Sequence, residues 1–397
     1  MSDLRVLFVT HAYPRYGTDA AGSFLHRLAI ALRAGGCELR VLVPSGPDLS
    51  AEEEIDGVSI RRFRYAPRGM ESLAYTGTMA EQVLGSFRGK GALAGLLAAG
   101  SVAVRREVDR YAPDVVHAHW WFPGGLIALA GDSDVPLVTT LHGSDVRLAR
   151  KVKLVHPLFR RVMARSAAVT AVSGWLAGEA RAMAPDVDVR IAPMPADVAL
   201  FSAENVERIK GRFLFVGRLN AQKGLNELLE AMAWTSASVT LDVVGAGDDA
   251  ARLREKAGRL GIAARVNWIG SVDRTALPAL YRRAQATVIP SRQEGLGLVA
   301  VESQLCRTPV IAYRSGGLPD VVNPEWGGVL VPPGDTRALA DAIGQLVARA
   351  EAVDEAGASA RATMMDRFAP SRVSAGYREL YRSILRPHPA SPAAAAH

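Results

Sequence analysis

The sequence predicts an α/β protein of two successive doubly wound domains, and three observations carry that prediction. Short continuous apolar runs with small-residue exits recur along the chain, as strands buried on both faces of a parallel sheet require. Stretches with apolar residues gathered on one helical face lie between them. The whole alternation then restarts near residue 212, after a passage containing Pro193 and Pro195. A chain of 397 residues is too long for one ordinary core and suits two.

In the first half, residues 4–10 read as a buried strand. A loop with Pro14, Gly17 and Gly22 follows, then a helix placing Phe24, Leu25, Leu28, Ala29, Ala31 and Leu32 on one face and ending at Gly35 and Gly36. A strand over 38–43 completes a βαβ unit. Further strands are predicted over 58–63, 114–118, 137–140 and 168–172, and Ser173 reads as a helix N-cap. The weakly polar helical stretch 91–104 is assigned to the core.

The second half predicts strands over 212–217, 239–245, 266–270, 286–290 and 309–312, with helices over 225–233 and 250–260. Domain limits are placed at 1–195 and 196–370, with a hinge near 195–210. A helix over 371–386 is expected to pack back on the first domain. The Pro- and Ala-rich tail 387–397 is expected to be disordered.

The formal charge of +7 suits nucleic acid, an anionic membrane surface or phosphorylated small molecules. No nucleic-acid module is present in the sequence. No run approaches the roughly 20 apolar residues that span a bilayer, and residues 6–9 are too short for a signal core. A cytoplasmic protein is expected, with Cys37 and Cys306 as buried free thiols.

The chemistry concentrates in the second half, where ligands bind at the carboxyl ends of such sheets. Gly217-Arg218-Leu219-Asn220-Ala221-Gln222-Lys223-Gly224 leaves a strand and enters a helix. Arg218 and Lys223 can neutralise a diphosphate there, one with a forked guanidinium and one with a compact charge. Pro290 ends a later strand, and Glu294-Gly295-Leu296-Gly297-Leu298-Val299 opens a helix that carries Glu302 about one turn in. Amides bared by Gly295 and Gly297 form a nest for anionic oxygens. Glu294 can accept hydrogen bonds from sugar hydroxyls, and Glu302 from a ribose diol.

These residues resemble the retaining GT-B glycosyltransferases of family 4, also called group 1, which includes bacterial mannosyl-, glucosyl- and N-acetylglucosaminyltransferases. The E-x7-E signature of that family matches Glu294 to Glu302, and its basic pair matches Arg218 and Lys223. Blocks at 243–247, at 269–272 with Val272, at Leu280-Tyr281 and at 315–320 are similar too. Leu296 departs from the family's usual Phe.

The resemblance implies two Rossmann-like domains facing each other across a cleft. It implies transfer of a hexose or N-acetylhexosamine from a nucleotide diphosphate sugar, UDP ahead of GDP on family frequency, with retention and without cofactor or metal. Glu294 is then a sugar-positioning residue. The acceptor is left open among a glycan, a lipid-linked sugar and a small natural product. Rival readings are an inactive sugar-nucleotide-binding scaffold, an epimerase and a phosphorylase.

In the first half, the resemblance assigns Gly22 to the approach of the donor phosphates, although Ala20-Ala21-Gly22 stands where an adjacent glycine pair is usual. It assigns His142, which follows a buried strand, to the donor sugar near the reacting centre. His117 and His119 alternate on a strand and invite a metal reading. Zinc usually wants three or four ligands, and the sequence offers no third at plausible spacing, so a structural strand end is preferred. The basic stretch 147–165 reads either as a solvated helix face or as a contact for anionic lipid or an acidic acceptor.

Overall fold

The computed structural model describes residues 4–16, 19, 22–75, 79–131, 134–204, 207–349 and 353–386. The tail expected from 387 onward, and Gly17, Ala20 and Ala21 of the first glycine-bearing loop, lie outside the described residues. The chain forms two compact units, one of residues 1–172, 177–194 and 373–397, the other of 173–176 and 195–372.

The first unit is built on an eight-stranded sheet. Its strands are β1 (Leu4–Val9), β2 (Cys37–Pro44), β3 (Glu52–Ile55), β4 (Val58–Phe63), β5 (Val115–His119), β6 (Leu137–Leu141), β7 (Ala168–Ala171) and β8 (Val189–Ile191). They lie in the order β3-β4-β2-β1-β5-β6-β7-β8. All pairings are parallel except the β3–β4 hairpin. Val6, Leu7, Phe8, Val41, Ile60, Val115 and Val138 are wholly buried, which is why apolar residues dominate the inner strands. β3 reads Glu-Glu-Glu-Ile and was not predicted. It is an edge strand, where acids blunt the open side, and Glu53 is ion-paired with Arg62.

The helix Phe87–Tyr111 covers one face through Leu96, Gly100 and Val104, so the stretch 91–104 does belong to the core. From Val373 the helix Pro370–Leu385 joins this unit. It buries Tyr377 and Tyr381. The Tyr377 hydroxyl donates to the Ala192 carbonyl at 3.0 Å, and the Tyr381 oxygen lies 2.7 Å from His117 Nδ1.

The second unit holds β9 (Arg212–Val216), β10 (Thr240–Val244), β11 (Val266–Gly270), β12 (Ala286–Ile289), β13 (Val310–Tyr313) and β14 (Val329–Val331). The order is β11-β10-β9-β12-β13-β14, parallel throughout. Phe213, Phe215, Leu241, Val243, Val288 and Ile311 form its core with Leu225, Leu228, Leu229 and Met232 of the helix Leu225–Ala233. Cys37 and Cys306 are buried free thiols, and burial pushes the Cys306 thiol up to about 12. In each sheet the strand order reverses beside the unit's first strand, between β1 and β5 and between β9 and β12. Loops diverge at such points and leave room for a ligand.

Tyr381→Phe leaves a buried imidazole nitrogen without its partner. It should destabilise the first unit by about 1–3 kcal/mol, read as faster amide exchange in β5 and β6 with the second unit unchanged.

Candidate active site

In the second unit the loops after β9, β12 and β13 are stitched together by main-chain bonds. Asn220 caps the short turn Ala221–Lys223, its side-chain oxygen accepting from the Lys223 amide at 3.3 Å. The Arg292 amide donates to Gln222 O at 3.0 Å, and Gln222 Nε2 donates to Gln293 O at 2.8 Å. The Gly317 amide donates to Glu294 O at 2.9 Å. Gly224 sits at φ +72°, and a Cβ there would meet Pro290 O at 1.9 Å. Only glycine allows both that left-handed conformation and that approach.

This scaffold aims two predicted residues at each other. Lys223 Nζ donates to Glu294 Oε1 at 2.5 Å, with both side chains largely buried. Such a charge-assisted bond is among the stronger ones. Gly217 lies at the exit of β9, its amide bonded to Val244 O. Arg218 next to it is exposed and has no acidic partner among the described residues. Gly295 and Gly297 lead into the helix Leu298–Leu305, with Gly297 as its N-cap. The first intrahelical bond runs from the Ala300 amide to Gly297 O, so the amides of Leu298 and Val299 stand ahead of the helical ladder and suit an anion. Leu296, where the family's Phe is replaced, is 6% exposed and seats in the core.

Glu302 is nearly buried and has partners that sequence reasoning did not give it. Its Oε2 accepts from the Tyr281 hydroxyl at 3.3 Å and its Oε1 from Arg274 Nη2 at 3.4 Å. Arg274 also pairs with Asp197 at 2.8 Å and stacks on Phe201 at 5.0 Å. Val272 lies on the loop after β11, two residues before Arg274. No described bond joins it to Glu302 or to the Lys223–Glu294 pair.

In the first unit His142 follows β6. Asp145 holds its backbone, Oδ1 accepting from the amides of His142 (3.2 Å) and Gly143 (2.9 Å) while Oδ2 accepts from that of Trp121 (3.1 Å). Burial nonetheless pushes the Asp145 carboxyl up. His142 Nε2 lies 3.1 Å from His119 Nδ1, and His119 Nε2 is buried without a partner. With its proton on Nδ1, His119 leaves only a lone pair unmet, which is less costly than an orphaned N–H. The bonding network therefore assigns His142 the tautomer with its proton on Nδ1.

His117 and His119 do share a face, their rings 4.2 Å apart. The nitrogens of His117 meet Tyr381 and Thr140, each at 2.7 Å. Among the described residues, no cluster of three or more His, Cys, Asp and Glu is placed to hold a metal. Burial pushes His11 down to about 4 and His117 to about 3, and holds His119 and His142 well below the usual imidazole range. Gly22, at φ +66°, begins the helix Ser23–Ala34, and a Cβ there would strike Ala12 O at 2.6 Å.

Residues 201–363 match the family described as Glycosyl transferases group 1, and residues 21–200 match Glycosyltransferase Family 4. The chain is 28% identical to a glycogen synthase of Mycobacterium tuberculosis over 416 residues, covering 96% of this chain and 95% of that one. It is 32% identical to a D-inositol 3-phosphate glycosyltransferase of Xylanimonas cellulosilytica, over 77% of this chain and 82% of the relative. Among solved structures it resembles sucrose-phosphate synthase from Thermosynechococcus elongatus, with a TM-score of 0.80, 24% identity, and 96% and 99% of the two chains covered. It also resembles Anabaena Alr3699/HepE in complex with UDP-glucose, with a TM-score of 0.70, 19% identity, and 96% and 100% covered. The two sheets define a GT-B fold. The chain belongs to the group 1 glycosyltransferases, enzymes that transfer sugar from a nucleotide sugar.

Two outcomes follow. Gly224→Ala should cost the second unit about 2–3 kcal/mol or more, seen as a lowered urea midpoint for that unit. Unfolded histidine protonates near 6.5, whereas His11 and His117 do so only near 4 and 3. Below pH 6.5 the unfolded chain therefore binds more protons, and stability falls as acid is added, by up to about 1.4 kcal/mol per pH unit for each such histidine. His117→Asn should flatten that slope in urea titrations between pH 6.5 and about 4.

Proposed function

We propose that this enzyme moves a hexose or N-acetylhexosamine from a nucleotide diphosphate sugar, UDP in preference to GDP, to an acceptor hydroxyl, with retention and without a metal. The observation that carries the reading is the Lys223–Glu294 pair, which joins the loop that carries Arg218 to the loop that leads into the helix Leu298–Leu305 at the β9/β12 reversal. The similarity to a structure solved with UDP-glucose supports the donor class.

In this reading Arg218, Lys223 and the amides near Gly295, Gly297, Leu298 and Val299 receive the diphosphate. They take up its growing charge as the bond from the anomeric carbon to the phosphate oxygen breaks, which is preorganised electrostatic stabilisation. Lys223 exchanges the Glu294 carboxylate for phosphate oxygens, and Glu294 turns to the sugar hydroxyls. Glu302 takes the ribose diol while Arg274 and Tyr281 fix its orientation. The acceptor oxygen bonds to the face the diphosphate leaves, and the acceptor's proton passes to the departing phosphate oxygen. Gly22 serves the donor phosphates, and His142, neutral, gives its Nδ1–H to the donor sugar. Among the described residues no helix is long and apolar enough to cross a membrane, and we place the reaction in the cytoplasm.

A screen of UDP- and GDP-sugars with EDTA present throughout tests the donor and metal assignments together. Thermal stabilisation and slow nucleotide release with a UDP-sugar are expected, with an anomeric NMR signal of unchanged configuration in the product. Lys223→Ala should lower kcat about 10²–10³-fold with the fold intact. A response only on adding a divalent ion, or full turnover by the variant, contradicts the leaving-group assignment.

A further inference from the structure

Residues 147–165 carry seven Lys or Arg and no Asp or Glu. They form the helix Ser144–Lys151, a tight turn Lys153–Val155 and the helix His156–Arg165. The inner faces bury Val146, Ala149, Phe159, Val162 and Met163. Two of the cations serve the fold, Arg150 pairing with Glu179 at 2.9 Å and Arg160 donating to Met183 O at 2.8 Å. Lys151, Lys153, Arg161 and Arg165 are exposed and have no acidic partner among the described residues.

The turn between the helices projects apolar side chains outward. Leu154 is 88% exposed, Leu158 45% and Val152 40%. An exposed leucine alone is ordinary. Here three exposed apolar residues lie on the turn or within three residues of it, and the same short segment carries four exposed cations with no acidic partner among the described residues. We propose that this turn is a docking surface for an anionic lipid bilayer. A bilayer receives a projecting apolar tip below its headgroups while the surrounding cations meet the lipid phosphates. An acidic protein or a soluble polyanion would be matched by the cations alone and leaves the projecting leucine without a role. The inference is independent of the donor chemistry.

Flotation of the full chain with vesicles tests it, using phosphatidylcholine alone or with about one third phosphatidylglycerol. The wild type should float with the anionic vesicles only, and progressively less as salt is raised. Leu154→Ser should weaken partition several-fold. The double variant Lys151→Glu, Lys153→Glu should weaken it by about tenfold or more. Both should keep the wild-type circular dichroism and rate of donor hydrolysis, since the altered side chains lie on the surface. No flotation of the wild type overturns the proposal. So does unchanged flotation of Leu154→Ser, which would reduce the turn to a general polyanion contact. On heparin, a soluble polyanion, that variant should be retained like the wild type. A parallel loss there would trace its weaker flotation to a damaged cationic surface and overturn the role given to the leucine.

Discussion

The second unit's site depends on one close approach, that of the Gly224 backbone to the carbonyl of Pro290. It brings the loop after β9 against the loop after β12, and the bonds from Arg292 to Gln222 and from Gln222 to Gln293 then fix their register. Lys223 and Glu294 meet only because those loops are so held. A side chain at 224 would push the loops apart and separate the ion pair before altering any charged group. The site is thus an outcome of backbone packing, with the ionisable residues added at its edge.

The first unit handles polarity differently. His11, His117, His119 and His142 gather near the exits of β1, β5 and β6 and are held neutral by burial. A neutral imidazole both donates and accepts, so one ring can orient the next. His119 orients His142 from 23 residues away in the chain. The cluster is stable only while it stays unprotonated, which links the integrity of this unit to pH.

Much of this organisation is legible in the sequence, for physical reasons that also mark its limits. Strands buried on both faces are dominated by apolar residues, so β1, β9 and β12 announce themselves, while β2 and β4 show apolar residues interleaved with polar ones. β3, β8 and β14 are edge strands: Glu-Glu-Glu-Ile and Val-Arg-Ile carry no such pattern, and Val-Leu-Val, though apolar, is only three residues long. Lys223 and Glu294 are visible because glycines and strand ends mark their loops, and Glu302 because it stands at the E-x7-E spacing from Glu294, inside the helix those glycines open. The partners Arg274 and Tyr281 of Glu302, and His119 of His142, are not visible in those roles. Their contacts are made by the tertiary fold, and no local spacing encodes them. His119 drew notice only as a possible metal ligand, whereas its work is to face another imidazole.

The account stands most directly on where a nucleotide diphosphate lands. Backbone amide NMR of the labelled chain, titrated with UDP, measures this residue by residue. Saturable shifts centred on 217–224 and 295–299 are the predicted result. Shifts that leave both segments untouched, or no saturable shift at all, would contradict it.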